Sequence, residues 1–381
     1  MKILTVSNCP LVESQGSGYV IVNYARGLRS LGHEVDLIGP EECELFSWMR
    51  KGRSHRMAVG IMLRTLRALR RKKYDVVEFY GCESWLAVSL LARRPGRKFL
   101  LVTRSNGLET HYAAATRSHF GEVGLNGSPL KWYQKIWNPP IRRAFAKADG
   151  LVTVSHFDRD YALREHYQQP ERVLALENPL PPEFMGIPIA ARNPRTLGFC
   201  GSWLANKGIA TIQTDVVRLL SEFDDCRFKL IGVGADFRKG DWFPSDLHNR
   251  IDVTAHVENK DELRQHYSQI TILMVPSVFE GFGLVTAEGM ACGCAVVATR
   301  TGFAAGVHED EEIVIMDKPC PPYLYKTVKM LLLDESLRMR IAKGGHLRTQ
   351  RLKWQPAIEE LSETYRKWMH HIALVLPMEG Q

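Results

Sequence analysis

Two glutamates, Glu280 and Glu288, bracket a glycine-rich turn in the stretch VPSVFEGFGLVTAEGMACGCAVVATRTGFAAGVHED, which runs from Val275 to Asp310. The apolar run Ile270 to Val275 has the length of a buried strand, and Pro276 and Ser277 punctuate its carboxyl end. Glu280 follows in the turn. Gly281 and Gly283 permit backbone angles and close approaches denied to other residues, and Leu284 to Cys292 has helical composition. The N–H groups from Phe282 to Leu284 open that helix, where unpaired donors and the helix dipole favour a phosphate or a polarised hydroxyl. Glu288 falls one turn later on the face of Leu284, near enough to the strand end to hold the diol of a ribose. Gly293 closes the helix and Ala295 to Ala298 begins another apolar strand. Two solvated glutamates are the bland alternative; flanking glycines at a strand end favour a binding site instead.

Other predicted strand ends carry related groups. Glu13 to Tyr19, ESQGSGY, contains Gly16 and Gly18, which bring backbone amides close to a phosphate or an acceptor. Gly201 to Gly208, GSWLANKG, places Lys207 where it can neutralise a phosphate leaving group. Gly232, Val233 and Gly234 form another close-approach turn. The last two lie on successive strand ends of one domain and favour the same nucleotide diphosphate ligand.

These groups need a scaffold, and apolar strands alternate with helical segments throughout. The first series is Ile3 to Ser7, Val35 to Ile38, Val76 to Tyr80, Phe99 to Thr103 and Leu151 to Val154. The second is Thr196 to Cys200, Phe228 to Ile231, Ile251 to Thr254, Ile270 to Val275, Ala295 to Ala298 and Glu312 to Ile315. Such alternation predicts an α/β fold with two Rossmann-like parallel sheets. Prolines in Asn178 to Pro194, NPLPPEFMGIPIAARNP, mark a linker. The expected domains are 1–185 and 186–355, with a terminal helix in 356–381 whose spacing is carried by Ile358, Leu361 and Tyr365. Facing carboxyl edges of two such sheets would make a cleft for chemistry.

The length of 381 residues suits two domains, each able to bury a core. No uninterrupted apolar run is long enough to cross a bilayer, and MKILTVS reads as a first strand and not a secretion signal, so a cytoplasmic location is expected. The eight cysteines are dispersed, without CxxC pairs or a histidine cluster, which indicates neither a disulfide framework nor a zinc site. A formal charge of +8 points to an anionic partner. Arg50 to Lys73 contains many bases and no acid, with Met62, Leu66 and Leu69 at helical spacing. That predicts a basic amphipathic helix, either packed with a solvated outer face or in peripheral contact with anionic lipid on the inner face of a membrane. No nucleic-acid recognition motif or interleaved aromatics accompany the charge, so nucleic acid is not an expected partner.

The chain resembles the retaining glycosyltransferases of family four, the group 1 glycosyltransferases with the two-domain GT-B arrangement, over nearly its whole length. EGFGLVTAE resembles the two-glutamate signature, GSWLANKG the GRxxxxKG loop, GLRSLGHEV from Gly27 the first helix and second strand, and VTVS from Val152 the strand before the linker. The resemblance implies that Glu288 holds the donor ribose, that Lys207 contacts the diphosphate, and that Glu280 with the amides of Gly281, Phe282 and Gly283 holds sugar hydroxyls. It implies catalytic positions at Glu280, Lys207 and Asn106. It also implies a donor set of Gly16, Gly201, Ser202, Lys207, Gly232, Gly234, Glu280, Gly281, Phe282, Gly283, Leu284 and Glu288. Further implications are retention of anomeric configuration, no bound metal, no cofactor beyond a nucleotide diphosphate sugar as co-substrate, and a terminal helix returning to the first domain. A fixed lysine and helix-end amides suit this chemistry, because nucleotide departure leaves negative charge. Retention here does not imply the paired carboxylates of glycosidases, since Glu288 is assigned to the ribose.

Two positions depart from the family pattern. Ser202 stands where an arginine is usual, and Asn106 in RSNGLE stands where histidine is frequent; an amide binds a hydroxyl but carries no proton as imidazole does. Arg104 and His111 are the nearby candidates to replace the missing charge and the missing imidazole. The expected activity is transfer of a sugar to a hydroxyl of a glycan or lipid-linked saccharide, in cell-surface polysaccharide or glycolipid biosynthesis. The alternatives are a nucleotide-sugar-binding scaffold without turnover and a nucleotide-sugar epimerase.

Overall fold

The computed structural model describes residues 1–13, 16–46, 48–49, 52–121, 139–189, 192–257 and 259–375, with side chains to residue 371. Arg50 and Lys51, at the start of the basic segment, lie outside the described residues. The chain forms two compact units, passing from the first to the second after Asn178 and returning to the first after Lys353.

The first unit contains a six-stranded parallel sheet of β1 (Lys2–Ser7), β2 (Glu34–Ile38), β3 (Val76–Tyr80), β4 (Leu100–Arg104), β5 (Gly150–Thr153) and β6 (Val173–Ala175), in the order β2-β1-β3-β4-β5-β6. Strands β3 and β4 are buried at every position, as expected for a parallel sheet covered on both faces. The edge strand β6, three residues long, was not expected.

Helix Trp354–Val375 completes this unit, as the resemblance implied. Its Ile358, Leu361, Tyr365 and Trp368 join Tyr24, Leu28 and Val102 in one apolar cluster. Two glycines make room for it: a methyl group on Gly27 would overlap Ile358, and one on Gly150 would overlap Trp368. Polar pins add register, with His33 Nε2 2.8 Å from Ser362 Oγ and the Tyr365 hydroxyl donating to the buried Glu78 carboxylate.

The basic segment folds as helix Arg53–Arg71. Met57, Ala58, Ile61 and Thr65 form its buried side, while the expected Met62, Leu66 and Leu69 are only partly covered. Not all its bases face solvent as free charges. Arg56 donates to the carbonyls of Leu45 (2.9 Å) and Met49 (2.6 Å), and Arg64 to that of Glu42 (2.6 Å).

The second unit contains β7 (Thr196–Cys200), β8 (Arg227–Ile231), β9 (Ile251–Thr254), β10 (Ile272–Val275), β11 (Ala295–Thr299) and β12 (Val314–Met316), all parallel, in the order β12-β11-β10-β7-β8-β9. This is Rossmann winding: the strand order reverses between β7 and β10, and open α/β sheets bind ligands beyond the carboxyl ends of strands at such a reversal.

Candidate active site

The loops leaving β7 and β10 meet at that reversal. Lys207 follows β7, Glu280 follows β10, and Lys207 Nζ lies 2.7 Å from Glu280 Oε1. Ser277 Oγ donates to the same oxygen at 2.7 Å. The two loops are fastened by backbone, since the Val278 N–H donates to the Asn206 carbonyl at 2.8 Å. Gly208 has φ +74°, and a Cβ there would collide with the Pro276 carbonyl, so only glycine allows the Lys207 loop to lie this close to β10. The lysine and glutamate side chains are 26% and 15% exposed, half-shielded from water yet reachable by a ligand.

Around this pair the chain keeps bare backbone. Gly201, Gly232 and Gly234 have φ values of +130°, +73° and +96°. Their N–H groups are already spent on the carbonyls of Ile231, Thr254 and Ala255, so these glycines offer close approach and no free donors. Donors come instead from the start of helix Leu284–Ala291, which follows Gly283 (φ +87°): the Thr286 and Ala287 N–H groups already donate to the Gly283 carbonyl, and those of Leu284 and Val285 precede the helix ladder. The Phe282 carbonyl accepts from the Phe303 N–H at 2.6 Å, and the Phe282 ring packs on Phe303, which fixes the turn. Ser202 is exposed. Trp203 beside it turns inward against Phe199, Phe237 and Trp242 and supplies no charge.

Glu288 sits on the first helix after β10 but is almost wholly buried, at 3% exposure. Its two oxygens are each partnered at 3.2 Å, Oε1 by Lys260 Nζ and Oε2 by the Tyr267 hydroxyl. Burial raises its carboxyl above the ordinary range, and Lys260 and Tyr267 partly offset this. Sequence reasoning missed both partners, which belong to helix Lys260–Ser268. A signal was present: Asn259 caps that helix by accepting from the Glu262 N–H at 2.9 Å, the Asn-x-x-Glu pattern of a helix start.

Gly16 and Asn106 belong to the first unit. Gly16 opens helix Gly16–Ser30, and Asn106 follows β4 with its amide 3.9 Å from the Cys9 sulfur. The two proposed substitutes for missing family groups are interior residues. Arg104, 3% exposed, lies between the rings of Tyr24 (4.3 Å) and Tyr80 (4.8 Å) and beside Glu78 at 3.6 Å. It is a structural cation and no stand-in for the arginine absent at Ser202. His111 is bonded through Nδ1 to the fully buried Asp158 at 2.8 Å and stacked on Tyr161. No group of three or more possible metal ligands occurs among the described residues.

Two Rossmann-like units, the second with a cation, a carboxylate and helix amides at its switch point, define a doubly wound α/β class. Comparison with known proteins narrows it. A family model described as glycosyl transferase 4-like domain matches residues 15–179, and one described as glycosyl transferases group 1 matches residues 194–334. An uncharacterized glycosyltransferase of Methanocaldococcus jannaschii is 29% identical over 175 residues, covering 44% of this chain and 47% of that protein. The chain spans about half the length, or less, of the first curated relatives it matches. Among solved structures, sucrose-phosphate synthase of Thermosynechococcus elongatus superposes with a TM-score of 0.76 at 15% identity, over 97% of this chain and 100% of that one. Anabaena HepE in complex with UDP and glucose gives 0.64 at 16% identity, over 96% and 100%. The chain belongs to the group 1 glycosyltransferases of family four, with the GT-B fold.

Proposed function

We propose that the protein transfers a sugar from a nucleotide diphosphate sugar to a hydroxyl of a glycan or lipid-linked saccharide, with retention of anomeric configuration and without a metal. The second unit takes the donor and the first the acceptor. The observation that carries this reading is the Lys207–Glu280 pair at the β7/β10 reversal. A nucleotide diphosphate entering there draws Lys207 onto its phosphates, and Glu280 is freed to accept hydroxyls of the sugar. The charge that develops on the leaving diphosphate is met by Lys207 and by the first amides of helix Leu284–Ala291, which is the work a metal does in other transferases. Glu288 takes the ribose diol in exchange for its present partners. Anabaena HepE was solved with UDP and glucose, which fits a donor of this class.

The test is the product. UDP-, GDP- and ADP-sugars are offered with sugar acceptors, and the anomeric proton of the product is read by NMR in the presence of EDTA. An α-linked product from an α-linked donor, formed at an undiminished rate, is expected. Donor epimerisation without acceptor, inversion, or loss of turnover in EDTA would contradict the reading.

A place in cell-surface polysaccharide or glycolipid biosynthesis follows if the acceptor is lipid-linked, and the surface of helix Arg53–Arg71 suits peripheral binding at the inner membrane face. Val59, Leu63, Arg67 and Arg70 form one exposed stripe, and Phe46, Trp48 and Met49, in the loop tied down by Arg56, stand out beside this helix at 64%, 78% and 42% exposure. Apolar side chains flanked by bases match an anionic lipid interface. No helix among the described residues is long and apolar enough to cross a membrane. Trp48→Ala is expected to lower co-sedimentation with phosphatidylglycerol vesicles at least threefold; equal sedimentation of variant and wild type, or none of either, would remove the membrane from the account.

A further inference from the structure

Helix Trp85–Ala92 leads from β3 towards β4, and the helix over residues 139–146 leads into β5, the neighbour of β4 in the first sheet. Their carboxyl ends therefore meet beside the amino ends of these strands, at the edge of the sheet opposite the one where open α/β sheets bind substrate. Between them lies a hollow of about 230 Å³, lined by Ser89, Ala92, Arg93, Arg143 and Lys147. The room comes from two small side chains one turn apart, Ser89 and Ala92, while Ala87, Val88 and Leu91 of the same helix are packed into the core.

This lining holds three bases and no acid. None of the three side chains is ion-paired or hydrogen-bonded among the described residues, whereas bases close to them in the chain are engaged. Arg97 is bonded to both oxygens of Asp149, and Arg142 donates to the Glu165 carbonyl with its carboxylate 4.0 Å away. Ser89 Oγ is spent on the Trp85 carbonyl at 2.6 Å, so the lining's side-chain donors for a ligand are the bases. Cations near helix carboxyl ends offset the helix dipole. That explains each base singly, but not why three line one concavity and leave every carbonyl there untouched. Like charges around a hollow repel one another and focus a positive potential, which an entering anion neutralises.

Size narrows the anion. The hollow is smaller than the roughly 300–1,000 Å³ of pockets that enclose a drug-sized ligand, so it suits a phosphate with a short stem and not a whole nucleotide. Two guanidinium forks and an ammonium match phosphate oxygens better than a single carboxylate. We propose that Arg93, Arg143 and Lys147 bind the phosphate of a phosphomonoester in this hollow, at a site separate from the donor site of the second unit. The phosphate is the shared chemistry of a soluble polyol phosphate and of a phospholipid headgroup. All three bases are exposed, so the site fills without any opening of the fold. The inference is independent of the transferase reading.

Phosphorus NMR on the full chain tests it at pH 8, where a phosphomonoester carries two charges. The probes are inorganic phosphate and glycerol 3-phosphate, titrated into Lys207→Met so that the donor site contributes least. Saturable line broadening is expected, and Arg93→Gln/Arg143→Gln/Lys147→Gln in the same background should weaken binding at least tenfold; Arg143→Gln/Lys147→Gln serves should the triple variant fail to fold. Arg94 and Lys98 are exposed bases of the adjoining loop that do not line the hollow, and Arg94→Gln/Lys98→Gln should leave binding within twofold. Co-sedimentation with phosphatidylcholine vesicles containing phosphatidic acid separates the sources. A threefold or greater loss in the triple variant assigns the hollow to a headgroup, and equal sedimentation with lost phosphate binding assigns it to a soluble ester. No saturable binding, equal binding by the parent and the triple variant, or an equal loss in Arg94→Gln/Lys98→Gln overturns the proposal.

Discussion

Lys207→Met is expected to lower sugar transfer by about a hundredfold to a thousandfold, the loss typical when a preorganised group facing developing charge is removed. Lys207 is 2.7 Å from Glu280 in the ligand-free protein, held in a loop that the Gly208 turn and the Val278–Asn206 bond press against β10. The loop is thus in place before the donor arrives, and Lys207 has only to exchange Glu280 for the phosphates on binding. With Ser202 in place of the usual arginine and Trp203 packed inward, the Lys207 charge has no arginine beside it in this loop, which is why its removal should be severe. Methionine keeps the length of the side chain and leaves Glu280 bonded to Ser277, so folding should survive. Initial rates of nucleotide release at saturating acceptor measure the effect; a rate within threefold of wild type would remove Lys207 from the mechanism.

Glu288→Gln should split affinity from stability. If the carboxylate holds both ribose hydroxyls, an amide that accepts through one oxygen loses a charge-assisted bond, and nucleotide affinity falls by about tenfold to a hundredfold. Stability should move the other way. Burial lifts the Glu288 carboxyl above its ordinary 4.5, so between that value and its raised value the folded state binds more protons than the unfolded state. Stability contributed at this site is therefore lost as the pH rises through the window, and a neutral glutamine does not suffer that loss. The broken ion pair with Lys260 offsets little, since the lysine is 30% exposed. Ligand-free Glu288→Gln is expected to unfold at a higher temperature than wild type at pH 7, with a smaller difference at pH 5. Thermal scans at pH 5 and pH 7, with and without nucleotide, check both halves; lower stability at pH 7 with unchanged affinity would contradict them.

The sheets were legible because parallel strands buried on both faces read as unbroken apolar runs. Val76 to Tyr80 and Thr196 to Cys200 were located residue for residue, and so was the edge strand Ile251 to Thr254, although its Asp252 and Val253 are exposed. The three-residue edge strand β6 escaped, although the equally short edge strand β12 was expected within Glu312 to Ile315. At the site, the strand-end glycines and the loops bearing Lys207 and Glu280 could be read from local sequence. The pairing of Glu288 with Lys260 and Tyr267 could not, because it joins separate helices in space. Arg104 shows the opposite difficulty: at a strand end it looks like a ligand for phosphate, and only the Tyr24 and Tyr80 rings and Glu78 reveal that its charge is consumed inside the fold. The same holds in part for the basic helix, where Arg56 and Arg64 serve loop carbonyls while Arg67, Arg70 and Arg71 remain exposed.

The central claim, that the β7/β10 reversal binds a nucleotide diphosphate, is tested most directly by calorimetric titration of UDP, GDP and ADP into the ligand-free protein and into Lys207→Met. One nucleotide is predicted to bind wild type with a dissociation constant between about 1 μM and 1 mM, the range usual for enzyme substrates, and at least tenfold more weakly once Lys207 is gone. Absence of binding by all three, or equal binding to wild type and Lys207→Met, would contradict it.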